Sequence, residues 1–326
     1  MVSALRISAF VAAGVLLGSV GQSMAQSDYP NKPVRLIVGF APGGINDVVA
    51  RMVAEGLTPA LGQTVVVENR PGAGATVAAD LVSKSKPDGY TLLLGSISNI
   101  AMAPSQYKNL PYDPGKDFAH ISPVAGNACV LVVNPKFQAQ TVKDIISLAK
   151  QKPGELVYGS GGLGSSTHFV VELFTSMAGI SMSHTAYKGD NPSATDVVAG
   201  HIPMAFPSMA AAMPFIKSGQ LKPVAVSTSQ RSSFFPDLPT VAESGVPGFD
   251  VRIWLGVFAA PATPREIVNK LNAEIAKVTQ LPSVKERFAG LGAEAINSSP
   301  EQFSAYVRSE IVKWTNVAKA AKMVPN

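Results

Sequence analysis

Two stretches of the chain hold residues suited to gripping an anion. Residues 39–51 read GFAPGGINDVVAR and residues 158–168 read YGSGGLGSSTH. In each, glycines follow a short apolar run, and small polar residues open a helix-like segment. Such a turn aims free backbone N–H groups and the positive end of a helix dipole at one point. One helix terminus contributes ~0.3–1 kcal/mol to a bound anion, and each hydrogen bond to a charged group adds ~1.5–3 kcal/mol. Two such termini converging would hold a carboxylate without any arginine. Taken singly, either glycine run serves equally well as a tight turn.

Other chemistries find less support. Gly159, Gly161 and Gly164 spell G-x-G-x-x-G, the dinucleotide fingerprint. That fingerprint expects an acid about 20 positions on, whereas the next acid at a strand end is Asp190, 26 residues after Gly164. No G-x-S-x-G nucleophile elbow exists, since Tyr158 stands two residues before Ser160 and Leu163 two before Ser165. No catalytic residue is therefore expected, and an exported esterase is the remote alternative. His120, His168, His184 and His201 stand far apart, without H-x-x-x-H or H-E-x-x-H, so no metal site is expected. Nothing calls for a cofactor. The single cysteine, Cys129, lies in the apolar run 128–133 and reads as a buried, inert thiol.

These residues must be positioned by a chain of 326 residues with formal net charge +5. Lysines and arginines are scattered among acids, without the basic stripe and interleaved aromatics of a nucleic-acid binder. At the N-terminus Arg6 precedes an uncharged apolar stretch, residues 7–20, and Ser23-Met24-Ala25 forms a small-x-small cleavage site. Residues 1–25 thus read as a cleaved signal peptide, too short in its apolar part for the ~20 residues a membrane span needs, and the protein is expected in the periplasm. The remainder alternates strand and helix, the pattern of α/β layers. Strands are expected at 34–40, 64–68, 90–95, 156–158, 183–187, 202–206 and 223–227. Helices are expected at 46–61, from about 75, from about 300, and from a capping box at Thr263-Pro264-Arg265-Glu266. Two extended segments, 121–134 and 249–260, interrupt this rhythm and suggest two connectors between a discontinuous first domain and an inserted second one.

The chain resembles the periplasmic solute-binding proteins of tripartite tricarboxylate transporters, the TctC or Bug family. The resemblance runs from YPNKPVR at residue 29 through APGGINDVVAR, VVVENRPGAGATVAAD, KPDGYTLLLGS, YGSGGLGSSTH, AYKG, FPDLPTVAESGVPGFD, Trp254 and APATP at residue 260. It implies the two-domain α/β Venus-flytrap architecture, its domains joined by two crossing strands: 26–126 plus 254–326 as domain 1, and 127–253 as domain 2. It also implies capture of a small organic acid in the interdomain cleft by a monomer, for delivery to the transporter's membrane subunits. Docking of the loaded protein on a sensor kinase is the alternative use of the same fold. Carried over residue by residue, the first loop offers Phe40, Pro42, Gly43, Gly44 and Asp47, and the second offers Ser160, Gly161, Gly164, Ser165, Ser166, Thr167 and His168. Gly43, Gly44, Ser165, Ser166 and Thr167 are the expected donors to the carboxylate, with Ser96 as a further hydroxyl. Asp47 is expected to brace its loop, because like charges repel. Tyr187 to Asp190, with Phe206, Pro207 and Ser208, are expected toward the variable end of the ligand. Asp190 either faces a ligand amine or hydroxyl or caps a helix before Asn191-Pro192. Ile45 replaces a residue commonly small or Pro in the family and narrows the pocket mouth.

Overall fold

A computed structural model describes residues 29–323; the expected signal peptide lies outside the described residues. Among the described residues eleven strands form two sheets. They are β1 (Val34–Val38), β2 (Val65–Asn69), β3 (Thr91–Ser96), β4 (Ala119–Asn127), β5 (Val130–Val133), β6 (Val157–Ser160), β7 (Ser183–Ala186), β8 (Met204–Ala205), β9 (Lys222–Val226), β10 (Ile253–Ala259) and β11 (Glu294–Ala295). The first sheet has the order β11-β4-β10-β3-β1-β2 and the second β7-β6-β8-β5-β9.

β1 pairs in parallel with both β2 and β3. Helices cover both faces, which is why β1 reads as an almost unbroken apolar run rather than an alternating one. The helix Ile45–Leu61 buries Val49, Met52, Val53, Leu57 and Leu61 on one side. Each such side chain contributes about 1.5–3 kcal/mol when taken from water. This packing fixes where the helix starts, and therefore where its free amides point.

β4 and β10 make the two crossings between the sheets. β10 lies antiparallel between β3 and β4 in the first sheet, while the chain after β4 enters β5 of the second sheet almost at once. The return begins where Val251 N–H donates to Ser227 O at 2.8 Å and leads into β10. The β4–β10 pairing slips register at Leu255/Gly256 and at Val257/Phe258. A Cβ on Gly256 would lie 2.3 Å from the Phe303 ring, so the C-terminal helix Pro300–Ala320 rests directly on this crossing.

That helix also reaches the other sheet's layer. Trp314 packs edge-on against Phe169 of the helix Ser166–Ala178, ring centroids 5.8 Å apart. Between them and β10 lies Glu310, 3% exposed. Its Oε2 accepts from the indole N–H groups of Trp254 at 3.2 Å and Trp314 at 3.0 Å, and Lys313 pairs with its other oxygen.

The capping box expected at Thr263 is not made. The Thr263 hydroxyl donates to Ala260 O at 2.7 Å, and the helix Arg265–Gln280 begins behind Pro264 with no side-chain cap. Capping boxes occur instead at Thr141/Asp144 and Ser299/Gln302. Cys129 is fully buried, and burial pushes its thiol well above the usual range. Among the described residues no helix is long and apolar enough to cross a membrane.

Candidate ligand-binding cleft

Four helices begin at one cleft of about 610 Å³. Gly44 and Ile45 bring the start of Ile45–Leu61, Ser166 that of Ser166–Ala178, Gly189 and Asp190 that of Asp190–Ala199, and Ser208 that of Met209–Lys217. Asn127 at the end of β4 and Ile253 at the start of β10 line it as well, which places it beside the two crossings. The amides of the first helical turns lack intrahelical acceptors, so the wall carries the positive ends of dipoles, although the Ser208 and Met209 amides are taken by Asp190 Oδ2 and Ala128 O.

The first loop is held by one carboxylate. Asp47, 2% exposed, accepts at Oδ2 from Gly43 N–H at 2.9 Å and Arg51 Nε at 3.0 Å. Its Oδ1 accepts from Arg51 Nη2 and Asn69 Nδ2, both at 2.9 Å. Arg51 above all, then Gly43 and Asn69, hold this carboxyl down at about 2 against burial. Asp47 thus braces the loop as expected, and its charge is matched inside it. Gly43, at φ +85°, adopts the left-handed backbone that favours glycine and spends its N–H on Asp47. It is therefore not free to donate to a ligand, contrary to expectation. Gly44 is extended and the helix start has no side-chain cap; Gly44 and Ile45 line the cleft, and the first-turn amides of this helix have no intrahelical acceptor. Phe40 is half-buried with its carbonyl taken by Asn69 Nδ2 at 3.0 Å, and Pro42 is exposed at the turn.

The second loop is tied more heavily. Ser160, 2% exposed, accepts from Gly162 N–H and lies 2.6 Å from His184 Nε2. Thr167 Oγ1 accepts from Gly161 N–H at 2.9 Å and donates to Asp190 Oδ1 at 2.9 Å. Ser165 caps its helix, accepting from His168 N–H at 3.2 Å. Gly164, at φ +74°, donates to His168 Nδ1 and accepts from Gln106 Nε2. Of the expected hydroxyl donors, Ser166 lines the cleft, while the Thr167 hydroxyl already donates its hydrogen bond to Asp190.

Several expected residues stand elsewhere. Ser96 is buried and donates through N–H and Oγ to Asn99 Oδ1. Phe206, just past the end of β8, is 1% exposed and stacks on Phe249 in the core. The Tyr187 hydroxyl donates to Asp196 Oδ2 at 2.7 Å, turning the ring toward Gly159. His168 stacks on His184 at 4.1 Å and lines a separate groove with Gln106 and Glu172. Burial holds the pKa of both histidines down at about 4, so they are neutral. Asp190 is the first helical residue rather than a cap; Gly189 holds that position. Lys188, within the expected stretch Tyr187 to Asp190, lines the cleft, whereas the sequence reading missed Asn127 and Ile253. Both border the crossings and were findable there. Among the described residues no three His, Cys, Asp or Glu side chains form a metal cluster.

Comparison with known proteins adds to this geometry. The TctC family, described as tripartite tricarboxylate transporter family receptor, matches residues 49–323. Protein BugT of Bordetella pertussis is 36% identical over 315 residues, covering 96% of this chain and 97% of BugT. Among solved structures, Rhodopseudomonas palustris Rpa4515 with adipate is 36% identical at TM-score 0.77, covering 92% of this chain and 100% of that one. MatC (Rpa3494) from the same organism, with bound malate, is 30% identical at TM-score 0.73, covering 89% and 99%.

Proposed function

We propose, from the premise that the chain belongs to the TctC family of tripartite tricarboxylate transporter receptors, that its cleft captures a small organic acid and that the loaded protein delivers it to the transporter's membrane subunits. The family is one of periplasmic solute-binding proteins, and relatives carry adipate and malate. The observation that carries the reading is the convergence of four helix starts on one cleft beside the two crossings. A carboxylate placed between the uncapped start of Ile45–Leu61 and Ser166 receives two or three charge-assisted hydrogen bonds. At ~1.5–3 kcal/mol each, these suffice for a micromolar complex, which needs about 8 kcal/mol, once apolar contacts add their share. Neutral donors keep the site open to exchange, because no buried counter-charge has to be left unpaired on release.

Closure follows from the connection. Two strands with register slips carry the motion of one sheet layer against the other, in the manner of a hinge. Domain 1 then comprises 26–126 plus 254–326 and domain 2 comprises 127–253, working as a monomer after removal of residues 1–25. No bond is made or broken; Ser160, 2.6 Å from His184 Nε2, is 2% exposed and its hydroxyl already accepts from Gly162 N–H. Thermal unfolding with a panel of mono- and dicarboxylates tests the reading. A ligand at 100 times its Kd adds about 2.7 kcal/mol, a rise of roughly 4 °C in a chain of this size, while NAD and neutral sugars give none. If no organic acid at millimolar concentration shifts the melting temperature, the reading fails.

A further inference from the structure

The cleft lining contains two charged side chains, Lys188 and Asp190, and the protein holds them differently. Lys188 is exposed, whereas Asp190 is half-buried and fixed by both oxygens. Oδ1 accepts from Thr167 Oγ1 at 2.9 Å and Oδ2 from Ser208 N–H at 3.0 Å. Thr167 lies in the first turn of Ser166–Ala178, Asp190 opens Asp190–Ala199, and the Ser208 amide leads into Met209–Lys217. One protein carboxylate thus sits among three of the four helix starts. The backbone makes room for it: a Cβ on Gly161 would lie 2.7 Å from Asp190 Oδ1.

We propose that Asp190 is an internal carboxylate that fills the second anion position of the cleft, so that the site selects acids bearing one carboxylate and a hydrogen-bond donor over dicarboxylates of equal length. This rests on the reading of the cleft as an organic-acid site. The ligand carboxylate takes the start of Ile45–Leu61, which has no side-chain cap and whose own acid is matched by Arg51. A second ligand carboxylate aimed at the other three starts meets Asp190 in a half-buried setting, where screening is weak. A hydroxyl or ammonium there finds lone pairs instead, because each carboxylate oxygen accepts about two hydrogen bonds and has spent one. Lys188, on an exposed flexible stem, is screened by solvent and does not offset this repulsion.

Calorimetric titration of the full chain with four- to six-carbon acids, as ω-hydroxy acid, ω-amino acid and diacid of each length, tests the proposal. Asp190→Asn is the matching variant, since its amide can donate to Thr167 Oγ1 and its oxygen can accept from Ser208. In the wild type, at the length that binds best, the hydroxy or amino acid binds at least about tenfold tighter than the diacid. Asp190→Asn tightens the diacid by about tenfold and weakens the amino acid. The proposal is overturned if the wild type prefers the diacid, if the ratio is unchanged in Asp190→Asn, or if Lys188→Gln rather than Asp190→Asn reverses the preference. Absence of binding by every acid to both proteins would instead remove the organic-acid reading itself, and this inference with it.

Discussion

Replacing Asp47 by Asn tests whether one carboxylate holds the first loop in its binding shape. The carboxyl sits at about 2 in the folded protein against an ordinary value of 3.8, chiefly because of Arg51. A group with a depressed folded pKa adds stability that is present above its unfolded value and lost as pH falls through the folded one. The full shift corresponds to about 2.4 kcal/mol at neutral pH. The Arg51 side chain is 53% exposed, so solvent screens part of this and about 2 kcal/mol is the working ceiling. The wild-type advantage should therefore be about 2 kcal/mol at pH 6, and about 1 kcal/mol at pH 3, read from urea midpoints. Asparagine offers one acceptor oxygen where Asp47 uses two for four bonds. The Gly43 amide or Asn69 thus loses a partner, the helix start moves, and ligand affinity should fall by about tenfold for one lost charge-assisted bond. A stability deficit that is the same at both pH values, or unaltered affinity despite the deficit, would refute the brace.

Two further outcomes are expected. Glu310→Ala leaves two buried indole N–H groups and Lys313 without their carboxylate, costing about 3–5 kcal/mol, whereas Glu310→Gln keeps an acceptor and costs far less. Urea unfolding followed by tryptophan emission separates them, and equal losses would show that the carboxylate is not the link. Acid lability is the second. Burial holds His120 and His168 down at about 4 against 6.5, so the unfolded chain binds protons first and stability falls as pH drops from about 6.5 toward 4. For side chains only 7% and 5% exposed, that is about 2 kcal/mol each at pH 5. A His120→Phe variant whose midpoint falls as steeply as the wild type between pH 7.5 and 5 would contradict the assignment to His120.

Much of the site was legible because it is local. Glycine followed by small polar residues marks a strand-to-helix turn wherever it occurs, and both loops open helices where the spacing predicts. The brace by Asp47 was legible too, since Gly43, Asp47 and Arg51 lie within one loop and helical turn. Ser96 and Thr167 were misjudged for a different reason. A hydroxyl's type says that it can donate, but not to what, and Asn99 and Asp190 claimed these two. Phe206 was misjudged because the strand expected at 202–206 is only the two residues Met204–Ala205, which leaves no alternation to fix which way Phe206 faces.

The sequence by itself determined the elements, the two extended connectors, the two anion-suited turns and the family, because each rests on spacing within a few residues or on motifs in order. Only the tertiary structure decided that four helix starts share one cleft, since that depends on sheet order. It also decided which polar groups remain free to meet a ligand. Asp190 reaches Ser208 across 18 residues and Trp254 reaches Glu310 across 56. Bonds of that span form only when packing brings the partners together, and no local pattern encodes them.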